Sequence, residues 1–92
     1  MKGTSVVKAA VFFEYGNQDA IAEARPTHRE YLGKLKTAGQ IWASGPFEDD
    51  SGALIIYEVE NLEDATALIE NDPFHAAGVF KSWTIKPWRQ VM

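Results

Sequence analysis

The sequence predicts a single α+β domain of order βαββαβ, with a four-stranded antiparallel sheet. Three observations carry this. Four short runs rich in β-branched and aromatic residues are separated by glycine, proline and polar clusters, as strands are. A stretch between Pro26 and Gly39 has helical apolar spacing. A polar loop ending in glycine, Glu48 to Gly52, separates two of the runs as in a hairpin. With 92 residues there is room for one core only.

The first strand is expected from Val6 to Phe13, broken only by Lys8. Tyr15 to Asp19 read as a turn, and residues 20–25 as a short helical turn or an ordered loop. Pro26 suits the first position of a helix, where its missing N–H costs nothing. His28, Tyr31, Leu32 and Leu35 then fall on one face, with Arg29, Glu30, Lys34 and Lys36 on the other. Gly39 suits the residue just past the helix, so the helix is predicted over 26–38. Ile41 to Ser44, stopped by Gly45-Pro46, and Ala53 to Val59 form the hairpin strands. Asn61 caps a second helix over about 62–71, whose face is Leu62, Ala65, Leu68 and Ile69 and which Pro73 ends. Val79 to Ile85 alternate as the last strand, closed by Pro87.

This order is the ferredoxin-like plan, a split βαβ with both helices on one face of the sheet. The other face should then show polar alternation. The first and third strands are instead almost continuously apolar. Both faces therefore call for burial, which a second copy can supply by packing sheet on sheet in a dimeric α+β barrel. The alternative is that the strand assignments are slipped by a residue or two.

Composition narrows the function. An apolar fraction of 46% with 24% charged residues excludes disorder. The absence of cysteine removes disulfides, thiolate metal sites, iron–sulfur clusters and cysteine nucleophiles. Nine scattered Lys and Arg in a chain of net charge −4 give no nucleic-acid footprint. No apolar run approaches the ~20 residues of a membrane helix, and Met1 to Ala10 lack a leader layout. A cytoplasmic home is expected. Two histidines 47 positions apart offer no metal-ligand spacing, and no glycine-rich phosphate or dinucleotide loop is present, so neither metal nor cofactor is expected.

The topology brings the start of the first helix, the end of the second, the end of the second strand and the start of the fourth to one end. His28 lies there on the apolar face of its helix, placed in its first turn. It reads as a general acid/base, or as a core histidine satisfied by a backbone carbonyl. Asp72 continues the inward face of the second helix and could orient the imidazole. It could equally bond the turn around Pro73. Arg25 could hold an anionic substrate group or pair with Asp19 or Glu23 at the surface. Ser44, with Gly45 and Pro46, suits a pocket wall; no nucleophile elbow surrounds it. Phe74, Trp83 and Trp88 could line a pocket for a flat ligand or belong to the core, and His75 reads as solvated.

The ordered set Arg25-Pro26-Thr27-His28, Tyr31-Leu32, Gly39, Ser44-Gly45-Pro46, Gly52, Asp72-Pro73-Phe74, Ala77-Gly78 and Pro87-Trp88 resembles the YciI-like (YCII-related) domain family over nearly the whole chain. The resemblance implies a ferredoxin-like fold, a dimeric α+β barrel, a bacterial cytoplasmic protein and a site built on a His–Asp pair. Carried over, that pair is His28 and Asp72, with Ser44 as the serine before Gly-Pro. One branch of the family looks like a dehydrochlorinase of a chlorinated hydroxyhydroquinone. The leading expectation is a small cofactor-free lyase or isomerase acting on an aromatic or enolisable molecule. The alternatives are a non-catalytic ligand-binding or accessory domain with the same pocket, and a partner-binding module.

Overall fold

The computed structural model describes residues 6–92. Residues 1–5, part of the segment read above for a leader, lie outside the described residues. The elements are β1 (Val7–Tyr15), α1 (Asp19–Thr37), β2 (Ile41–Pro46), β3 (Gly52–Val59), α2 (Leu62–Glu70), α3 (Pro73–Ala76) and β4 (Phe80–Trp88). The four strands form one sheet in the order β2-β3-β1-β4, and each neighbouring pair is antiparallel. The α+β class and the expected order of strands and main helices are present.

The register assigns the faces. Ala9, Val11 and Phe13 of β1 lie beside Tyr57, Ile55 and Ala53 of β3. All six are buried in one core cluster with Ile21 and Leu35 of α1 and Ala65 and Ile69 of α2. Both long helices thus cover this face. Ala10, Phe12, Leu54 and Ile56 alternate with these residues and so point to the other face.

Several boundaries differ from the sequence reading: β1 runs on to Tyr15 and β2 to Pro46, and three further differences have physical causes. α1 starts at Asp19, not Pro26, and Pro26 lies inside it. Ile21 and Ala24 extend the apolar stripe of His28, Tyr31 and Leu35 backwards by two turns. Proline at 26 removes the N–H that would bond the carbonyl of Ala22. Both residues are exposed, so water serves that carbonyl and the helix runs on. Pro73 does more than end α2: it opens the one-turn helix α3, with Asp72 as its cap. β4 runs through Pro87 to Trp88 because β4 is an edge strand, where a missing N–H need not break a ladder.

Gly39 and Gly52 show how geometry requires glycine. Gly39 ends α1 at φ 78°, the left-handed conformation expected there. A Cβ on Gly52 would stand 1.8 Å from the Phe13 carbonyl oxygen, so β3 can begin beside β1 only with glycine at 52. Among the described residues no helix is long and apolar enough to cross a membrane.

Candidate functional site

A cleft of about 340 Å³ opens between α1, the end of β2 and the β2–β3 turn. Arg25, His28, Ser44, Gly45, Pro46 and Phe74 all line it, as do Ala53 and Ile55 of β3. An apolar cavity of ~150 Å³ holds benzene, so a substituted single ring fits here.

His28 is the most constrained of these side chains. Its ring is largely buried, and Nδ1 lies 2.8 Å from Asp72 Oδ1. The Phe74 ring stacks on it at 3.8 Å between centroids and 7° from parallel. Asp72 is itself only 1% exposed. Its Oδ1 also accepts from the Phe74 backbone N–H at 2.9 Å, the capping bond of α3. The two roles weighed for Asp72 therefore coexist: the oxygen that fixes the turn around Pro73 is the one that meets the imidazole. One turn of chain, Asp72-Pro73-Phe74, supplies both the carboxylate at the edge of the ring and the aromatic plane beneath it.

The chemistry follows from which nitrogen is engaged. An ionised carboxylate only accepts, so Nδ1 carries the proton and donates it to Oδ1. Nε2 of the neutral ring then presents a lone pair, and it has no hydrogen-bond partner among the described residues. Hydrogen bonds to charged groups are worth ~1.5–3 kcal/mol, enough to hold one tautomer against the other.

His28 stands nine positions past Asp19, where α1 starts, and not in the first turn of its helix. The positive end of the helix dipole fades within a turn and does not reach the ring. The imidazole is governed by Asp72, Phe74 and the cleft instead.

The remaining expected residues divide. Ser44, Gly45 and Pro46 form a wall at the end of β2, an edge strand. Arg25 makes no ion pair with Asp19 or Glu23; among the described residues it has no carboxylate partner. Trp83 lies elsewhere, edge-on to His75 at 5.4 Å and to Phe80 at 6.5 Å. β4 is on the far side of β1 from the cleft, which is why its indole does not reach. Trp88 lies farther still, against Trp42 on the helix-free face.

Three polar lining residues escaped the sequence reading, Tyr15, Arg29 and Asp50, as did the apolar Leu32, Ala53 and Ile55. Arg29 falls on the solvent face of its helix, yet it is one turn beyond Arg25 and shares its rim. Tyr15 looked like a turn residue but is the last residue of β1. Burial raises the ionisation of its hydroxyl above 10.0, the Arg25 guanidinium pulls it back, and Asp50 raises it again. Asp50 reaches the cleft from a turn in which it takes φ 60°, a conformation aspartate tolerates. No cluster of three or more metal-ligating side chains exists among the described residues.

Comparison with known proteins places these features. Residues 7–89 match the YCII-related domain. Protein YciI of Escherichia coli O6:H1 is 35% identical over an alignment covering 73% of this chain and 79% of that protein. The uncharacterized protein YjpA of Bacillus subtilis is 33% identical, covering 79% of this chain and 80% of that one. Among solved structures, the 5-chloro-2-hydroxyhydroquinone dehydrochlorinase TftG of Burkholderia phenoliruptrix AC1100, in complex with 2,5-dihydroxybenzoquinone, superposes with a TM-score of 0.78. It is 25% identical, and the match covers 89% of this chain and 93% of TftG. From the first strand to the end of the last, the chain belongs to the YCII-related domain family.

Proposed function

We propose that this protein is a small cofactor-free enzyme of the lyase or isomerase type, with His28 as acid/base on an aromatic or enolisable substrate. The observation that carries the reading is the buried Asp72 carboxylate 2.8 Å from Nδ1 of an imidazole that lines a ring-sized cleft. Nε2 takes a proton from a carbon or hydroxyl next to a substrate carbonyl. Asp72 stabilises the imidazolium that forms. In an elimination the released electron pair expels a leaving group such as chloride; in an isomerisation the imidazolium returns the proton to another atom. Arg25, and Ser44 across the cleft, hold a substrate oxygen. The likeness to TftG supports the elimination branch.

The same reading takes the working form as a homodimer joined through the helix-free sheet face. Phe12 is 49% exposed there, beside partly covered Leu54. An exposed phenylalanine at the middle of a sheet face is what a second sheet would cover.

The test uses 5-chloro-2-hydroxyhydroquinone as first substrate and 2,5-dihydroxybenzoquinone as binding probe. His28→Asn should lose ~10²–10⁴ of the rate while binding the probe. Asp72→Asn should cost less if the carboxylate only orients the ring. Probe binding by wild type and His28→Asn alike, with turnover by neither over a panel of enolisable phenols, would turn the reading into that of a ligand-binding domain.

A further inference from the structure

Among the described residues, two buried side-chain atoms have no hydrogen-bond partner: the Tyr57 hydroxyl oxygen and Asp72 Oδ2. Both side chains are sealed from solvent, at 0% and 1% exposure. Buried polar groups are nearly always satisfied, so two unsatisfied atoms in so small a core need an account.

Their positions supply one. Ala53, Ile55 and Tyr57 are successive inward-facing residues of β3. The first two line the cleft and Tyr57 does not, so its ring lies one step deeper, ~7 Å along the strand. Asp72 is likewise absent from the lining and stands behind His28. Both unsatisfied atoms are thus buried behind the cleft wall and not part of it. They are chemically complementary, since a phenol donates and a carboxylate only accepts. The negative charge of Asp72 also acts on this hydroxyl, adding to burial in raising its ionisation above the ordinary range. Tyr31, the other hydroxyl that feels Asp72, already donates to the Leu68 carbonyl at 2.7 Å. Tyr57 is the donor left over.

We propose that Tyr57 is a positioning residue whose hydroxyl is linked to Asp72 Oδ2 through one buried water. This rests on reading His28 and Asp72 as the acid/base pair. Oδ1 already holds two donors, the imidazole and the Phe74 N–H. A third donor on Oδ2 stops the carboxylate plane from twisting about its Cβ–Cγ bond. The imidazole is thereby held from behind by a chain of contacts that starts on the sheet.

Proton NMR of the His28 Nδ1–H tests this. Wild type should show a downfield, slowly exchanging Nδ1 proton that Asp72→Asn abolishes. In Tyr57→Phe the ring and its packing remain, yet the signal should move upfield and exchange faster with water. An Nδ1 signal in Tyr57→Phe that matches wild type overturns the role of Tyr57 and leaves the His28–Asp72 pair intact. No protected Nδ1 proton in wild type overturns the pair itself, and Tyr57 with it. If Tyr57→Phe fails to fold, an atomic-resolution crystal structure of wild type decides. Oδ2 bonded to a water that the Tyr57 hydroxyl also bonds upholds the assignment. Oδ2 bonded to some other group refutes it.

Discussion

The two faces of the one sheet are built from similar residues and end in different states. On the covered face, Ala9, Val11 and Phe13 of β1 disappear under α1 and α2. On the bare face, Ala10 between them is 7% exposed and Ile56 beside it 6%, although no helix lies over either. Phe12, one step along, is half-exposed. The difference traces to Trp42 and Trp88. They come from β2 and β4, the two outer strands, and their rings meet at 5.7 Å between centroids. Rings that meet from opposite edges must cross above the middle strands, where Trp88 is level with Lys8 and the Ala10–Ile56 pair is the next on the same face. One face is thus covered by helices along its length. The other is roofed by side chains at one end and left apolar and open at the other.

The strongest way to break the comparison is to put a charge on each face in turn. Ile55→Asp buries a carboxylate among helices with no partner, which should cost more than ~4 kcal/mol. A domain of this size has ~5–15 kcal/mol to lose, so urea unfolding followed by circular dichroism should show a large part of that stability gone. Ile56→Asp, its neighbour in sequence, should also destabilise, because Ile56 is only 6% exposed, but by less, since side chains and not helices lie over it. Equal damage from both would mean that the bare face is as closed as the covered one.

Raising the pH probes the covered face alone. Burial lifts the ionisation of Tyr57 well above 10.0. In the folded protein the hydroxyl keeps its proton after the unfolded chain has begun to lose it. Stability is then full below pH 10 and falls as pH climbs toward the folded value, by about 1.4 kcal/mol per pH unit from this residue. Urea unfolding at pH 9 and pH 11 should show the loss, and Tyr57→Phe should reduce it. A wild-type midpoint unchanged between the two would contradict the buried placement of this hydroxyl.

The mildest change sharpens the open end. Phe12→Glu gives up a half-exposed ring whose aromatic neighbour is Phe47 at 6.5 Å, so monomer stability should fall by only about 1 kcal/mol. Sedimentation at micromolar concentration should nonetheless show half the wild-type mass, because the proposed dimer joins through this face. A wild type that is itself monomeric, or a variant that sediments with it, removes the dimer.

Much of this was readable from residues. Punctuation at Gly39, Gly45-Pro46, Asn61 and Pro73 marks the element ends, and helical spacing identifies the buried stripe of α1 from His28 onward. The meeting of His28 and Asp72 across 44 positions follows from topology together with the Asp-Pro-Phe turn. What could not be read has physical causes. Where both sheet faces are apolar, the alternation that separates Ile55 from Ile56 is erased, and only pairing with β1 restores it. Pro26 reads as a start because proline prefers that position; the exposure of the carbonyl it leaves unpaired is a property of the fold. Trp83 shares its residue type with pocket aromatics, but strand order sets its distance from the cleft. Tyr57 is one of six residues in an apolar run, and nothing local marks its hydroxyl as facing a carboxylate.

The tryptophan pair over the bare face also makes the sheet's width optically visible. β2 and β4 exchange no hydrogen bonds and lie three strand spacings apart, ~14 Å. Their indoles are nevertheless close enough for their electronic transitions to couple, which splits the ultraviolet circular dichroism into bands of opposite sign. Any event that draws the outer strands apart, or slides a second sheet beneath the rings, changes that splitting. The protein therefore carries an internal, label-free gauge of its own sheet edges, readable in solution while the cleft on the opposite face is empty or filled.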